Sequence, residues 1–228
     1  MRQLGMLFLG VGLLALTTPA HGDSTVASTF SPVPAVNGQK NTLQIRQLDF
    51  TGGATGQVVV EVRNQGQHPQ TFEARGLYFV PNGDAQSAPQ RVGAAGPFEV
   101  KDAQGWQRKD QLQIQPGQTV KLKLQTFCLD SHRGSPGKGQ GYKVARDRLP
   151  KDLTGEIEVG AQRIIRAKGG YSKAPAATGD IQSHVWSSRN KKWIKLEGER
   201  ANEKGSEGGG SSQRLIRRRP MPQQNVEE

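Results

Sequence analysis

The hydrophobic period of this chain changes at one stretch, residues 126–136, which holds its single cysteine, Cys128. Before the stretch, apolar residues alternate with polar ones, the period of a half-buried β-strand. After it, apolar residues recur at the spacing of an amphipathic helix. The sequence therefore predicts an α+β chain with a strand-rich part, a helical part and one thiol at their junction.

Residues 41–133 are predicted to form an immunoglobulin-like antiparallel β-sandwich. The predicted strands include residues 57–62, 72–80, 106–114 and 120–125. Turn residues separate them; Pro116 and Gly117, for example, suit a type II turn in which glycine takes the positive φ. About six or seven short strands separated by such turns are typical of this sandwich.

The last predicted strand indicates how the strand-rich part and the helical part should pack at their junction. Its alternation, continued to residue 129, puts Cys128 on the same face as Leu122 and Leu124. Phe127 and Leu129 then fall on the opposite face, so both faces of the strand are apolar at this end. We expect the helical half of the chain to cover the face of Phe127 and Leu129.

Residues 134–197 are predicted to form a basic helical subdomain packed on the sandwich. A helix is expected over 149–168, and a second over 181–189 with Thr178 or Asp180 as its N-cap. The first helix should bury one apolar face, a stripe that consists of Leu149, Leu153, Ile157, Ala161, Ile164 and Ile165. Residues 137–195 contain 13 Lys and Arg but only 5 Asp and Glu. This excess suits an acidic partner, such as an anionic envelope polymer or a lipid headgroup, and the alternative is a solvated surface that keeps the protein soluble.

The two ends of the chain are predicted to lie outside the folded part. Residues 1–22 have the charged start, the short apolar run and the small-residue cleavage site of a signal peptide. We therefore expect export to the periplasm, the cell surface or the medium, without a transmembrane segment. Residues 23–40 are expected to be a flexible leader, and residues 198–228 a disordered tail.

Side chains that could carry chemistry are few. Cys128, His132 and His184 lack the spacing of a metal site, and we expect no metal, no other cofactor and no nucleic-acid partner. A Cys-dependent hydrolase, with Cys128 as nucleophile and either histidine as base, is one alternative. A thiol buried as a small apolar side chain is another.

Two short segments resemble a known family. Phe127-Cys128-Leu129 and Ile181-Gln182-Ser183-His184-Val185-Trp186 are similar to the two signatures of bacterial thioester domains. The resemblance covers roughly residues 120–195. It departs from the family pattern at Ile181, where the family has threonine, and at His184, where it has alanine.

The resemblance implies a strand-rich part joined to a helical part, displayed on a bacterial surface and attached covalently to host amines. Cys128 and Gln182 would form the thioester, and His132 or His184 would move the proton. Phe127, Leu129 and Trp186 would exclude water from the bond. Without this chemistry, Trp186 would simply pack its helix on the sandwich beside Phe127.

Three functions follow from these patterns. The first is an exported, non-enzymatic binding protein of the cell envelope or surface. The second is a covalent adhesin that uses a Cys128–Gln182 thioester to reach an amine of a surface protein. The third is the Cys-dependent hydrolase.

Overall fold

A computed structural model of the chain describes residues 28–36, 38–39, 41–168, 175–200 and 203. The described residues form ten strands and two helices. These are β1 Ser31–Pro32, β2 Leu43–Phe50, β3 Gln57–Asn64, β4 Gln70–Phe72, β5 Tyr78–Pro81, β6 Val92–Asp102, β7 Gly105–Lys109, β8 Leu112–Ile114, β9 Thr119–Cys128, β10 Tyr142–Val144, α1 Lys151–Lys168 and α2 Pro175–Lys192.

The strands pair antiparallel in two sheets. The large sheet has the order β1-β2-β3-β9-β6-β5-β10, with β7 paired to the other end of β6, and β4 and β8 form a separate pair. The predicted strands 57–62 and 120–125 lie in β3 and β9 and pair directly with each other. The predicted α+β class and the antiparallel β-rich half are confirmed; the immunoglobulin-like type stays a prediction.

The large sheet curves so that β10, at one end of the strand order, comes close to β2 near the other end. One side chain bridges the gap between these two strands. Gln47 lies at an irregularity in the register of β2 with β3. Its Nε2 donates a hydrogen bond to the carbonyl of Gln140 at 2.7 Å, and its Oε1 accepts one from the backbone N–H of Tyr142. The amide thus makes the two bonds that a neighbouring peptide group would make, and the sheet is nearly closed.

Two apolar clusters lie on the two faces of this sheet. Inside the curve is the barrel core, which contains Leu122, Leu124 and Cys128. Outside is the helix-side core, in which Phe127 and Leu129 pack with residues of α1 and α2. The predicted alternation at the end of β9, and its cover by the helices, are therefore confirmed.

Helix α1 packs on β6, helix α2 packs on β9, and the two helices pack on each other. The stripe predicted for α1 is buried at Leu153, Ile157 and Ala161. Gly93 of β6 leaves room for it, because a Cβ there would lie 3.0–3.1 Å from side chains of Leu149, Ile157 and Leu129. No helix among the described residues is long and apolar enough to cross a membrane.

Several predicted boundaries are wrong. The leader is not wholly outside the core, since Ser31 and Pro32 pair with β2 and Val33 is buried. The predicted strand 72–80 is two strands, β4 and β5, separated by a turn in which Gly76 has φ 73°. Likewise, 106–114 divides into β7 and β8.

The C-terminal boundaries differ as well. Residues 142–144 lie within the range predicted for the helical subdomain but form β10 of the sheet, a strand too short to show a hydrophobic period. Helix α2 starts at Pro175, earlier than the predicted residue 181. The tail is ordered at 198–200 and at Glu203, which is buried by ion pairs described below. The predicted signal peptide and the rest of the tail lie outside the described residues.

Helix packing can be tested at two glycines of α1. At Gly160, an added Cβ would lie 2.6 Å from Cγ1 of Ile181 on α2, so Gly160→Ala should destabilise the protein by about 1–3 kcal/mol. At Gly155 a Cβ meets nothing within 4 Å, so Gly155→Ala should stabilise it by about 1 kcal/mol through helix propensity. Free energies of unfolding in urea measure both. Equal stabilisation by the two substitutions would contradict the packing of α1 on α2.

Candidate functional site

The predicted thioester pair is brought together at the end of β9. The backbone N–H of Cys128 donates to Oε1 of Gln182 at 2.8 Å, and Nε2 of Gln182 donates to the carbonyl of Cys128 at 2.6 Å. Both residues are buried. The amide of Gln182 therefore contacts Cys128 through its backbone, while the thiol belongs to the barrel core on the inner face.

The course of β3 explains why a side chain pairs with β9 at this point. The pairing of β3 with β9 ends at Gln57 and Gln125, and beyond it the segment before β3 offers this edge only the carbonyls of Gly56 and Ala54 among the backbone hydrogen bonds of the described residues. Buried backbone N–H and C=O groups need partners, and an amide side chain offers the same donor and acceptor as a peptide. The N–H of Cys128 also donates to the carbonyl of Ala54 at 2.9 Å. Gln182 thus completes the edge of the sheet.

The thiol of Cys128 is a poor nucleophile, because it is buried and its pKa is raised. Burial, and next the negative charge of Asp130, raise the pKa of Cys128 to about 12. The thiolate is the reactive form of cysteine, and burial in apolar surroundings suppresses it. At neutral pH the group is therefore a protonated thiol inside the barrel core.

Neither of the candidate histidines is placed against that thiol. His184 has a 63% exposed side chain on α2, and its Nε2 lies 2.7 Å from a carboxylate oxygen of Glu156 on α1. His132 is hydrogen-bonded to the carboxylate of Glu203, and its ring lies 5.6 Å from that of Trp193. The proton shuttle that the resemblance implies is therefore not assembled by these contacts.

The two aromatic residues of the predicted site belong to different clusters. Phe127 is buried in the helix-side core. Trp186 is half-buried against the barrel core, and its Nε1 donates to Oε1 of Gln90 at 3.2 Å. Trp186 therefore joins α2 to the barrel core. It is held there by contacts other than the expected packing beside Phe127.

Sequence reasoning missed the most unusual feature next to Cys128, a buried ion cluster. Its members are Arg91, Asp130, Arg133, Arg189 and Glu203, whose side chains are at most 1% exposed. They come from the residue just before β6, from the residues after β9, from α2 and from the start of the tail. The cluster therefore ties four distant segments together at one end of the barrel.

Asp130 is the centre of this cluster. Its Oδ1 accepts from Nη2 of Arg91 at 2.6 Å and from Nη1 of Arg189 at 2.5 Å. Its Oδ2 accepts from the backbone N–H and Nε of Arg91 at 2.8 and 2.9 Å. Burial raises the pKa of Asp130, but the hydrogen bond and charge of Arg91, followed by the charge of Arg189, outweigh it and hold this pKa below its usual value.

Glu203 is held in the same way by the segment after β9. Nε and Nη2 of Arg133 donate to its two carboxylate oxygens at 2.6 and 2.5 Å, a bidentate pair. Arg133 also donates to the carbonyl of Gly198 at 2.9 Å. Glu203, which lies in the predicted disordered tail, is thereby fixed by charge rather than by apolar burial.

One sequence signal pointed to this cluster. Arg189 falls on the stripe of Ile181 and Val185, at positions four apart along α2. A charged residue on the buried face of a helix requires an ion pair, because an unpaired buried charge is very costly. Its partner could not be identified from the sequence, since Asp130 is 59 residues away.

The cluster also contains a possible metal-binding group. Asp130, His132 and Glu203 each place one ligand atom within 4.8 Å of the others. However, the oxygens of both carboxylates already accept from guanidinium groups of Arg91, Arg133 and Arg189. A metal ion would have to displace those cations, so the arrangement favours a structural role.

A separate recess of about 490 Å³ opens on the surface beside the start of α1. It is lined by Ala35, Val36, Glu73, Arg75, Gly76, Arg148, Leu149, Lys151 and Thr154. Three of these are cationic and one is acidic, and Arg75 and Lys151 are exposed. The recess therefore combines an apolar floor with a positive rim.

Arg148 builds the wall of this recess. Its guanidinium donates to the carbonyls of Pro34, Ala35 and Glu73 at 3.1–3.3 Å, and to that of Arg75. Burial lowers the pKa of Arg148 to about 10, and the charge of Glu73 opposes this shift. Arg148 remains a cation at neutral pH, and carbonyl groups compensate its charge only in part.

Comparisons with protein-family models, with curated proteins and with solved structures find no match to this chain.

The ion cluster predicts a large and acid-sensitive effect at Asp130. Asp130→Asn should lower the free energy of unfolding by about 3–5 kcal/mol at pH 7, because it leaves buried arginines without their shared carboxylate. Since the folded pKa is depressed, this stabilisation is present above the unfolded value of about 3.9 and is lost as the pH falls below it. The difference between the two proteins should therefore narrow at about pH 3.

Urea unfolding at both pH values measures this effect, with Asp110→Asn as the control. Asp110 is an exposed aspartate, so its substitution should change stability by no more than about 0.5 kcal/mol. Equal stability of the two variants at pH 7 would contradict the role of Asp130.

Proposed function

We propose that this chain is an exported, non-enzymatic binding protein of the cell envelope or surface, and that its partner is an anionic envelope polymer. The signal-peptide pattern of residues 1–22 and the positive charge of residues 137–195 support this proposal. An immunoglobulin-like type for the strand-rich part belongs to the same proposal. Such domains serve as rigid supports for binding surfaces.

The recess beside α1 is the structural feature that supports this proposal most directly. Arg75 and Lys151 stand at its rim and Arg148 in its wall, where they can attract an anionic group, while Leu149 and Val36 offer apolar contact. Ligand sites are typically concave and mostly apolar, with a few polar groups that orient the ligand. An acidic group on a polymer would find its charge complement here.

The contacts of Cys128 argue against the hydrolase alternative. A catalytic thiol needs a depressed pKa and a base within hydrogen-bond reach. Here the pKa is raised to about 12, and His132 and His184 are bonded to carboxylates. A binding role requires none of these groups to react.

The recess can be tested with paired charge substitutions. Binding of purified lipoteichoic acid and of lipopolysaccharide should weaken about tenfold in Arg75→Gln/Lys151→Gln, and should fall on raising the salt from about 0.02 to about 0.5 M. Lys109→Gln/Lys138→Gln removes the same charge at exposed positions outside the recess and is the control. Equal losses in both variants, or no binding to either polymer at low salt, would overturn the proposal.

The covalent adhesin is a second candidate, because the carboxamide of Gln182 does lie at Cys128. Its thioester would form when the thiol attacks the carboxamide carbon, making the S–C bond and breaking the C–N bond with release of ammonia. A lysine amine of the partner would later attack the same carbon, leaving an amide on Gln182 and a free thiol on Cys128. The orientation of the thiol toward the barrel core opposes the first step.

Intact mass and thiol titration distinguish the two candidates. We expect the full calculated mass of the processed chain and one thiol that titrates only after denaturation, because Cys128 is buried and protonated. A mass lower by one ammonia, with no titratable thiol in denaturant, would instead identify a thioester. Gln182→Ala is the control, since it would restore the thiol in that case.

A further inference from the structure

The outer face of the large sheet is divided into two parts with opposite character. At one end of β6 and β9 it is apolar, and Ala95, Phe127 and Leu129 are covered by α1 and α2. At the other end many of its side chains are charged. Six cations lie there and define a cationic wall: Arg46, Arg63, Lys101, Arg108, Lys121 and Lys123.

Strand register places these cations side by side. Arg46 of β2 lies opposite Glu61 of β3, which lies opposite Lys121 of β9. One pair further along, Lys123 of β9 lies opposite Glu99 of β6, which faces Arg108 of β7. The wall thus crosses five neighbouring strands, about 19 Å at the usual strand spacing.

The cationic wall has a net positive charge even when the acidic residues within it are counted. Glu61 and Glu99 lie within it, and Asp49 lies at its margin opposite Val59. Glu61 pairs with Arg46 at 2.6 Å, and Glu99 lies 4.0 Å from Lys123. Three acids therefore stand against six cations, although residues 23–136 as a whole carry 11 Lys and Arg and 9 Asp and Glu.

Aromatic rings hold some of these cations in place. The guanidinium carbon of Arg63 lies 3.9 Å from the ring centroid of Phe30, and its nitrogens donate to Oε1 of Gln44. Nζ of Lys123 lies 4.0 Å from the ring centroid of Trp106. Cations fixed in this way lose less conformational entropy when they bind an anion.

We infer that the cationic wall binds a flexible acidic polysaccharide, a surface separate from the recess of the proposed function. The wall lies on the outside of a nearly closed sheet and is therefore convex. A flexible chain can follow such a surface, whereas a flat anionic bilayer would touch only a strip of it. Carboxylate groups along the polysaccharide pair with guanidinium and ammonium groups spaced by the strands.

Single-stranded nucleic acid fits the wall less well. Its binding relies on bases that stack on open aromatic rings. The two rings of this wall, Phe30 and Trp106, each have two cations over or near them. The wall therefore offers charge in a fixed pattern rather than stacking platforms.

Polygalacturonate is a suitable probe, measured by calorimetry on the full chain at about 0.02 M salt. Lys101→Gln/Lys121→Gln/Lys123→Gln should weaken its binding about tenfold or more. The matched control, Lys109→Gln/Lys138→Gln/Lys191→Gln, removes the same charge at exposed positions outside the wall and should retain most of the affinity. Thermal unfolding confirms that both triple variants are folded.

The outcomes separate this surface from the recess. Unchanged polygalacturonate binding in the wall variant, or an equal loss in the control, would overturn the inference. Tighter binding of oligo(dT) or of anionic phosphatidylglycerol vesicles than of polygalacturonate would also overturn it. Loss in Arg75→Gln/Lys151→Gln alone would assign binding to the recess, and would leave the proposed function standing without the wall.

Discussion

The end of β9 is where the structure is held together, because both of its faces and its free edge are buried there. Cys128 faces the barrel core, and Phe127 and Leu129 face the helices. A strand covered on both sides can exist only if its backbone groups find partners without water. The amide of Gln182 donates to the carbonyl of Cys128, and the N–H of Cys128 is shared between that amide and the carbonyl of Ala54. The carbonyl of Arg91 accepts from the N–H of Leu129.

Glutamine side chains perform the same task at two places in this sheet. Gln182 completes the edge of β9, and Gln47 bridges the gap between β2 and β10. In both cases a carboxamide replaces a peptide group where strand pairing stops. The similarity of the Gln182 segment to a thioester signature therefore coincides with a structural role for the same side chain, which hydrogen-bonds the backbone of Cys128.

The ion cluster extends this organisation to the C-terminal segment. Asp130 lies two residues after the end of β9 and accepts hydrogen bonds from Arg91 and Arg189. Arg133 then holds Glu203. Charged residues thus anchor helix α2 and the start of the tail at the same end of the barrel. The two surfaces that we propose for binding, the recess and the cationic wall, do not include these residues.

Local patterns in the sequence were sufficient for some of this structure and not for the rest. The alternation of Leu122 and Leu124 with lysines determined β9, and continuing it placed Cys128 and Phe127 on opposite faces, because the two-residue period is a property of the backbone. The stripe of α1 was equally readable. Arg189, the two glutamine bridges and the six cations of the wall depend on partners far away in the chain, so only the tertiary structure decided them. Strand register, not distance along the sequence, determines which charged side chains become neighbours. Residues 23–136 could therefore form the cationic wall although their total charge is nearly neutral.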